Sequence, residues 1–402
     1  MTGRYRIEQD VLEVVRPELP DMVSLRRAIH REPELGLDNP LTRSKIIDAL
    51  SGLPLDLKLA QSCSGLVATL RGRKPGRRVL LRADTDALPL TEGSASHFAS
   101  IYPGRMHACG HDAHVAMLVG AAKILCARAD QFDGEIVFMF QPGEEGWHGA
   151  RYMLDEGILD PLPDAAFALH IMPNAPHGVF TGRAGTIMAS NDTFEIVITS
   201  RGGPASMPHN ACDPIPVACE IVMALQAFIT RQISVFEPAV ATVAQISAGS
   251  ADNVIAPTAT ISGTIRTLAP QTRSAVEAGL NRLAGGIADA HGATASVSID
   301  HGYPVTVCDP RAAKLGEMVI RETLGDECWV EMATPMMGAE DFSYLLGKVP
   351  GAFFFLGASP EGSDWSCCAG LHSNEMTIDE AVMLRGAACH VAIAERFLAK
   401  GL

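Results

Sequence analysis

A chain of 402 residues exceeds one ordinary domain and suggests two, with length enough for at least one large core. Hydrophobic residues make up 47% of it, which excludes a disordered class; a formal net charge of -14 repels phosphate backbones and argues against nucleic acid as a partner. No stretch reads as the roughly 20 apolar residues of a bilayer span. The opening MTGRYRIEQDVLEVV scatters its charges and has no apolar centre, so no signal peptide is expected. These readings give a cytoplasmic chain with no membrane partner. Its ten irregularly spaced cysteines are then expected to be reduced thiols, and no bridge is expected between the adjacent Cys367 and Cys368.

Apolar runs of strand length alternate with helical patterns along the chain. The strand candidates include RRVLLRAD (77–84), with a helix-like segment following over 112–128. GEIVFMF (134–140) and DAAFALHI (164–171) read as strands, with a helix over 148–156 between them. Later come a helix at 309–323, the strand GAFFFLGA (351–358) and a helix at 378–399, for which Thr377 and Glu380 have capping-box spacing. Short, nearly continuous apolar strands between amphipathic helices predict an α/β fold, a sheet with helices on both faces.

Residues 189–301 follow a different order. The strand NDTFEIVITS precedes the turn-rich RGGPASMPHN and a helix over about 213–232. Strands at 239–248 and 258–267, a helix at 270–291 and a strand at 293–300 complete a β-α-β-β-α-β module. It reads as an insertion into a discontinuous domain formed by 1–188 and 302–402, with Gly182, Gly185, Gly302 and Pro304 at the crossings.

The densest chemical signal is GRMHACGHDAHVAM (104–117), with three histidines, a cysteine and an aspartate in eight residues before a helix. Cys109 and His111 flank Gly110, and a loop there can aim both at one point, whereas a helix would turn them apart. Thiolate and imidazole suit zinc and similar ions. The plainer alternative is a buried cysteine beside exposed histidines. FQPGEEGWHG (140–149) then places Glu144 and Glu145 just past a strand, where open α/β sheets bind ligands. One acid can hold a cation while the other takes a proton from water; a solvated pair in a turn is the alternative. His170 ends the strand AAFALH, and His372 follows a glycine-containing stretch. Asp84 and Asp86 follow the strand VLL. Asp84 is a candidate to orient a metal-bound imidazole, and an aspartate pair capping a turn is the other reading. Each of these segments lies at or just after a strand end, so one sheet edge can gather them.

Taken together, RADTDALP, GRMHACGHDAH, FQPGEEG, ALH, ASMPH, NVIAP, GTIRT, MGAEDFSYL and LHS resemble the M20 metallopeptidase family, over about residues 20 to 398. The likeness is to its amidohydrolase branch, which includes hippurate hydrolases, aminoacylases and auxin-conjugate hydrolases. The resemblance implies a zinc-peptidase-like catalytic domain on a mixed sheet, with 189–301 as a lid and dimerisation domain that makes a homodimer. It implies one or two divalent ions per subunit, zinc, manganese or nickel. Cys109 would bridge, with His111 and His170 on one ion and Glu145 and His372 on the other. Glu144 would be the general base and Asp84 the supporting aspartate. Other branches carry a histidine where Arg82 stands. In the lid, Asn253 and Arg266 resemble residues that meet the substrate, the arginine suiting a carboxylate.

The chain departs from the pattern at one position. Where the family has a lid histidine that stabilises the oxyanion across the dimer, this chain has Pro204 in Gly202-Gly203-Pro204-Ala205-Ser206-Met207-Pro208-His209. Proline has no donor, and loss of one such donor commonly costs ~10²–10³ in turnover. Either His209 takes over, or the substrate does not need the donor, or activity on amides is weak. The expected function is metal-dependent hydrolysis of a small N-acyl amino acid, hippurate-like or N-acetylated. The alternatives are a dipeptidase or carboxypeptidase, an aminohydrolase of an aromatic amine, and a metal-binding homologue without turnover.

Overall fold

The computed structural model describes residues 11–402; most of the N-terminal stretch read for a leader therefore lies outside the described residues. The chain divides into two compact units. One takes the chain up to Ile187 with Val307–Ala333 and Tyr344–Leu402, and the other takes Met188–Thr306 and Thr334–Ser343. The second unit thus gathers a segment beyond residue 302. Ala189 explains part of this, because its N–H donates to the carbonyls of Met336 (3.1 Å) and Gly338 (2.9 Å).

The first unit is built on an eight-stranded mixed sheet. Its strands run in the order Leu55–Leu59, Leu66–Arg71, Glu135–Gln141, Arg78–Asp84, Ala165–Met172, Gly351–Gly357, Phe180–Gly182 and Trp329–Glu331. Arg78–Asp84 pairs in parallel with both Glu135–Gln141 and Ala165–Met172, and the latter pairs in parallel with Gly351–Gly357. Along these four strands nearly every side chain is buried, with no alternation. A sheet covered on both faces produces that pattern, and it is why the strands read as continuous apolar runs.

The helix His111–Ala127 is buried almost all round and packs against Leu19–Arg31, Met383–Lys400 and the strand Arg78–Asp84. Apolarity on every side is the mark of a helix inside a large core. At the C-terminal helix the expected cap is displaced. Asp379, not Thr377, caps: it accepts from the Ala381 N–H at 2.9 Å and starts a single 3-10 turn, and the α-helix begins at Met383. Glu380 is drawn away from a capping role by Arg26 (3.0 Å) and Arg27.

The second unit runs Asp192–Thr199, helix Pro214–Gln232, Ala239–Ala248, Thr258–Thr267, helix Pro270–Ala290 and Thr294–His301, with short strands and a 3-10 turn between. Its four strands are antiparallel, in the order Ala239–Ala248, Thr258–Thr267, Asp192–Thr199, Thr294–His301. Here burial does alternate, because the two helices cover one face only. Phe194, Ile196, Ile198 and Ile261 meet Val217, Ile221, Leu225, Val276 and Leu280 in one apolar cluster. Each such burial contributes about 1.5–3 kcal/mol. By length and composition alone Pro214–Gln232 is apolar enough to cross a bilayer. Its stripe of Val217, Ile221, Leu225 and Phe228 instead lies in this cluster. Asp213 caps it by accepting the Ile215 N–H at 3.0 Å.

Candidate metal centre and active site

Parallel pairing brings strand ends to one edge of the first unit's sheet. Asp84 is in register with Gln141, from which the chain turns into Glu144 and Glu145, and His170 is in register with Phe355. Gly110 opens the helix His111–Ala127 with φ +83°, and a Cβ there would lie 2.5 Å from Ile171 Cδ1. Glycine supplies both the left-handed backbone and the room, so Cys109 and His111 come out of the bend together.

Five side chains then gather in two overlapping groups. Ligand atoms of Cys109, His111 and His170 lie within 4.8 Å of one another, as do those of Cys109, Glu145 and His372. Cys109 belongs to both. Its Sγ is 3.3 Å from His170 Nε2, and His372 Nε2 is 3.3 Å from Glu145 Oε1. His372 adopts φ +64°, one of two non-glycine residues with positive φ among the described residues; the other is His148, near the glutamates. Backbone in this region is costly for such residues and concentrates at functional sites.

The donor set fits a divalent cation. His170 Nδ1 donates to the Ile171 carbonyl at 2.7 Å, which leaves the Nε2 lone pair facing Cys109. Imidazole ligands are commonly held this way. Both ring nitrogens of His111 are buried without a hydrogen bond; Asp84 Oδ2 and Asp86 Oδ1 each stand 3.6 Å from one of them. Buried polar atoms without partners are rare; a cation among a thiol, imidazoles and carboxylates would satisfy one of them, leaving the other nitrogen's N–H to a neighbouring aspartate. The electrostatics agree. Burial and the carboxylates of Glu145, Glu144 and Asp84 push the Cys109 thiol well above its usual range. Burial opposes charge on His111, yet Asp84 and Asp86 outweigh it and raise the ring to about 10. Burial holds His170 neutral. The pocket carries a surplus of negative charge that positive charge relieves.

Glu144 Oε2 stands 4.0 Å from His111 Nε2, and the Glu144 side chain is nearly buried. Asp86 caps the turn that carries both acids, accepting the N–H of Glu144 at 2.9 Å and of Glu145 at 3.0 Å. The turn-capping reading therefore fits Asp86. Asp84 is more involved: it accepts from Arg82 Nη1 at 2.6 Å and from His114 Nδ1 at 2.5 Å, while its approach to His111 is longer. The imidazole it hydrogen-bonds is that of His114, which sequence reasoning passed over. Its position three residues after His111 on a helix, hence on the same face, was the available signal.

The sequence profile of peptidase family M20/M25/M40 matches residues 80–396. The chain belongs to that family. Within it, the relatives fit the amidohydrolase branch, and the chain is a metal-dependent amide hydrolase. It is 37% identical to "Thermostable carboxypeptidase 2" of Saccharolobus solfataricus, over 96% of this chain and 99% of that one. To "IAA-amino acid hydrolase ILR1-like 2" of Arabidopsis thaliana it is 37% identical, over 98% of this chain and 89% of the relative. Among solved structures, a dinuclear metal-binding peptidase of the M20 family from Bacillus subtilis superposes with TM-score 0.85 at 31% identity, covering 96% of this chain and 99% of its own.

Asn253, Arg266 and His209, the residues read for substrate contact, all belong to the second unit. Asn253 is exposed and its carbonyl accepts the Ala205 N–H at 3.0 Å. Arg266 is partly buried and Nη1 donates to the Met337 carbonyl at 3.3 Å. His209 is exposed in the turn Pro208–Asn210. Pro204 pairs with Val254 in a two-stranded ladder that needs no donor from it.

Proposed function

We propose that this M20 hydrolase cleaves the amide bond of N-acyl amino acids, using divalent metal that Cys109, His111, His170, Glu145 and His372 would hold. The observation that carries the reading is the overlap of two donor groups at one cysteine, with Glu144 beside them. His111 and His170 would hold one ion together with Cys109, and Glu145 and His372 a second. The mixed sulfur, nitrogen and oxygen donors suit zinc, manganese or nickel. Metal bound there would supply acidification of water and polarisation of the scissile carbonyl. Glu144 takes the proton of the attacking water and passes it to the departing amine nitrogen. Asp86 keeps its carboxylate aimed while it does so, through the two backbone bonds of the turn.

The likeness to an IAA-amino acid hydrolase favours an acyl group on an amino acid, and Arg266 offers a partner for that amino acid's carboxylate. Asn253 and His209 are assigned to the same substrate. A homodimer through the second unit suits the exposed Met223, Phe236, Val240 and Ile246. The ten cysteines are free thiols, which suits action in the reducing cytoplasm.

The likeness to a thermostable carboxypeptidase supports a second reading, removal of a C-terminal amino acid from a peptide. The test is a panel of hippurate, N-acetyl amino acids, indoleacetyl amino acids, dipeptides and N-blocked peptides on metal-reconstituted protein, with Pro204→His assayed beside the parent. Efficient cleavage of one N-acyl amino acid by the parent upholds the proposal. Cleavage of peptides alone gives the second reading. If only Pro204→His acts on amides, the parent has left ordinary amide hydrolysis and both readings fall.

A further inference from the structure

The helix His111–Ala127 carries a second buried imidazole one turn after His111. His114 is 2% exposed. Its ring centroid lies 5.4 Å from that of His111 and 4.6 Å from that of His170. Taken by distance alone, Asp84, His111 and His114 form a third group of donors within 4.8 Å, and His114 would pass for a ligand.

Its hydrogen bonds exclude that role. The backbone N–H of Ile171 points at His114 Nε2 across 2.9 Å. An amide N–H can only donate, so Nε2 must offer its lone pair and carries no proton. The proton of the neutral ring is then on Nδ1, where it is donated to Asp84 Oδ1 at 2.5 Å. Both nitrogens are committed, so neither is left for a cation.

What the ring joins is informative. Asp84 closes the strand Arg78–Asp84, and Ile171 directly follows His170 near the end of Ala165–Met172. Those strands pair only as far as Arg82 and Ala168. Beyond that point the ladder between them stops, and the His114 ring bridges the gap where His170 sits. Ile171 is held at both of its polar groups: its N–H by His114, its C=O by His170 Nδ1. Asp84 is held in turn by Arg82, which also donates to Gln141 Oε1 at 2.9 Å, beside the turn of Glu144 and Glu145.

We infer that His114 is the positioning residue of the metal centre: as the neutral, Nδ1-protonated tautomer it ties Asp84 to the Ile171 backbone and so fixes where His170 presents Nε2 to the ion. This rests on the reading of Cys109, His111 and His170 as one ion's ligands. Partners that orient ligands typically contribute 10–100-fold to metal affinity, and the same is expected here.

The two bonds can be removed separately. In His114→Asn the amide nitrogen takes the place of Nδ1 and keeps the donor to Asp84; in His114→Gln the carbonyl oxygen takes the place of Nε2 and keeps the acceptor for Ile171. His114→Ala loses both. Each variant, and Cys109→Ser, is stripped of metal, checked for folding by circular dichroism and titrated with Co(II) well below its melting temperature. The readouts are affinity and the thiolate-to-cobalt absorption band at saturation. The expected result is about 10–100-fold weaker binding for His114→Ala, smaller losses for Asn and Gln, and an unchanged band at saturation in all three. Parental affinity in His114→Ala, or equal losses in all three variants, overturns the inference. A band altered at saturation also overturns it, because His114 would then be a ligand. Cys109→Ser tests the underlying reading by itself: if it keeps the parental band, the ligand assignment fails, whatever His114 does.

Discussion

A single carboxylate, that of Asp86, accepts the backbone N–H groups of both Glu144 and Glu145, at 2.9 and 3.0 Å. The two acids are thereby locked in one turn while their side chains take separate directions, Glu145 towards His372 and Glu144 towards His111. Asp86→Asn replaces one acceptor with a donor that faces an N–H. We predict a fall in kcat of about 10–100-fold with a small change in melting temperature, checked by steady-state kinetics and a thermal melt on metal-loaded protein. An unchanged kcat would show that the turn holds its shape without Asp86.

Glu144→Gln keeps the size of the side chain and removes its basicity. Metal content measured by atomic emission should match the parent, and kcat should drop by at least about 10²-fold, the usual scale of general acid–base catalysis. Retained turnover would assign the proton transfer elsewhere.

Gly149 closes the same turn, donating its N–H to the Gly143 carbonyl at 3.1 Å. A Cβ at this position would collide with the Pro142 carbonyl oxygen. Gly149→Ala therefore has to displace the backbone next to the glutamates. The expected cost is about 1–3 kcal/mol in urea unfolding, together with lost activity. A variant as stable and active as the parent would mean that the turn relaxes freely.

His30 lies buried between Asp112 (2.8 Å) and Glu92 (3.2 Å), with Arg26 and His107 also close. Burial and Arg26 oppose its charge, but the two carboxylates outweigh them and raise its pKa to about 9. The folded value is above the ordinary value of about 6.5, so the stabilisation is complete below that pH and is lost as pH rises through about 9. Its size is on the order of 3 kcal/mol. Glu92 behaves in the opposite sense. Burial is outweighed by its bonds to His30, Ser100 and Ser94, which lower it to about 2, so its share is lost as the solution is acidified towards that value. Urea midpoints from pH 5 to pH 10 should fall across the upper range in the parent, and that fall should flatten in His30→Gln. Identical profiles would remove His30 as the cause.

If the second unit forms a homodimer through its exposed apolar residues, charges placed on them should break it. Met223 is 71% and Ile246 52% exposed. The double variant Met223→Asp with Ile246→Asp should run as a monomer in sedimentation velocity while the parent runs as a dimer. A monomeric parent would refute the homodimer.

The sequence by itself determined the four central strands of the large sheet, the strand and helix order of the second unit and the five residues that gather at one edge; the edge strands Leu55–Leu59, Leu66–Arg71, Phe180–Gly182 and Trp329–Glu331 came only from the tertiary structure. What it determined follows from local rules: apolar runs without alternation mark doubly covered strands, and parallel strands end on the same side, so Asp84, the Glu144–Glu145 turn and His170 had to converge. Gly110 between Cys109 and His111 was legible for the same reason, as a break that lets neighbours aim together. Local rules failed where a choice among partners was made at a distance. Thr377 had the spacing of a cap, but Asp379 took the position while Arg26 and Arg27 engaged Glu380 from a helix far away in sequence. His114 looked like one more histidine in a cluster. Only folding set Asp84 on one side of its ring and the Ile171 N–H on the other. Those two bonds, to residues 30 and 57 positions away, decide its tautomer and make it a support instead of a ligand. Spacing along a chain tells which side chains share an edge, but which lone pair each one keeps depends on the donors that tertiary packing brings up to it.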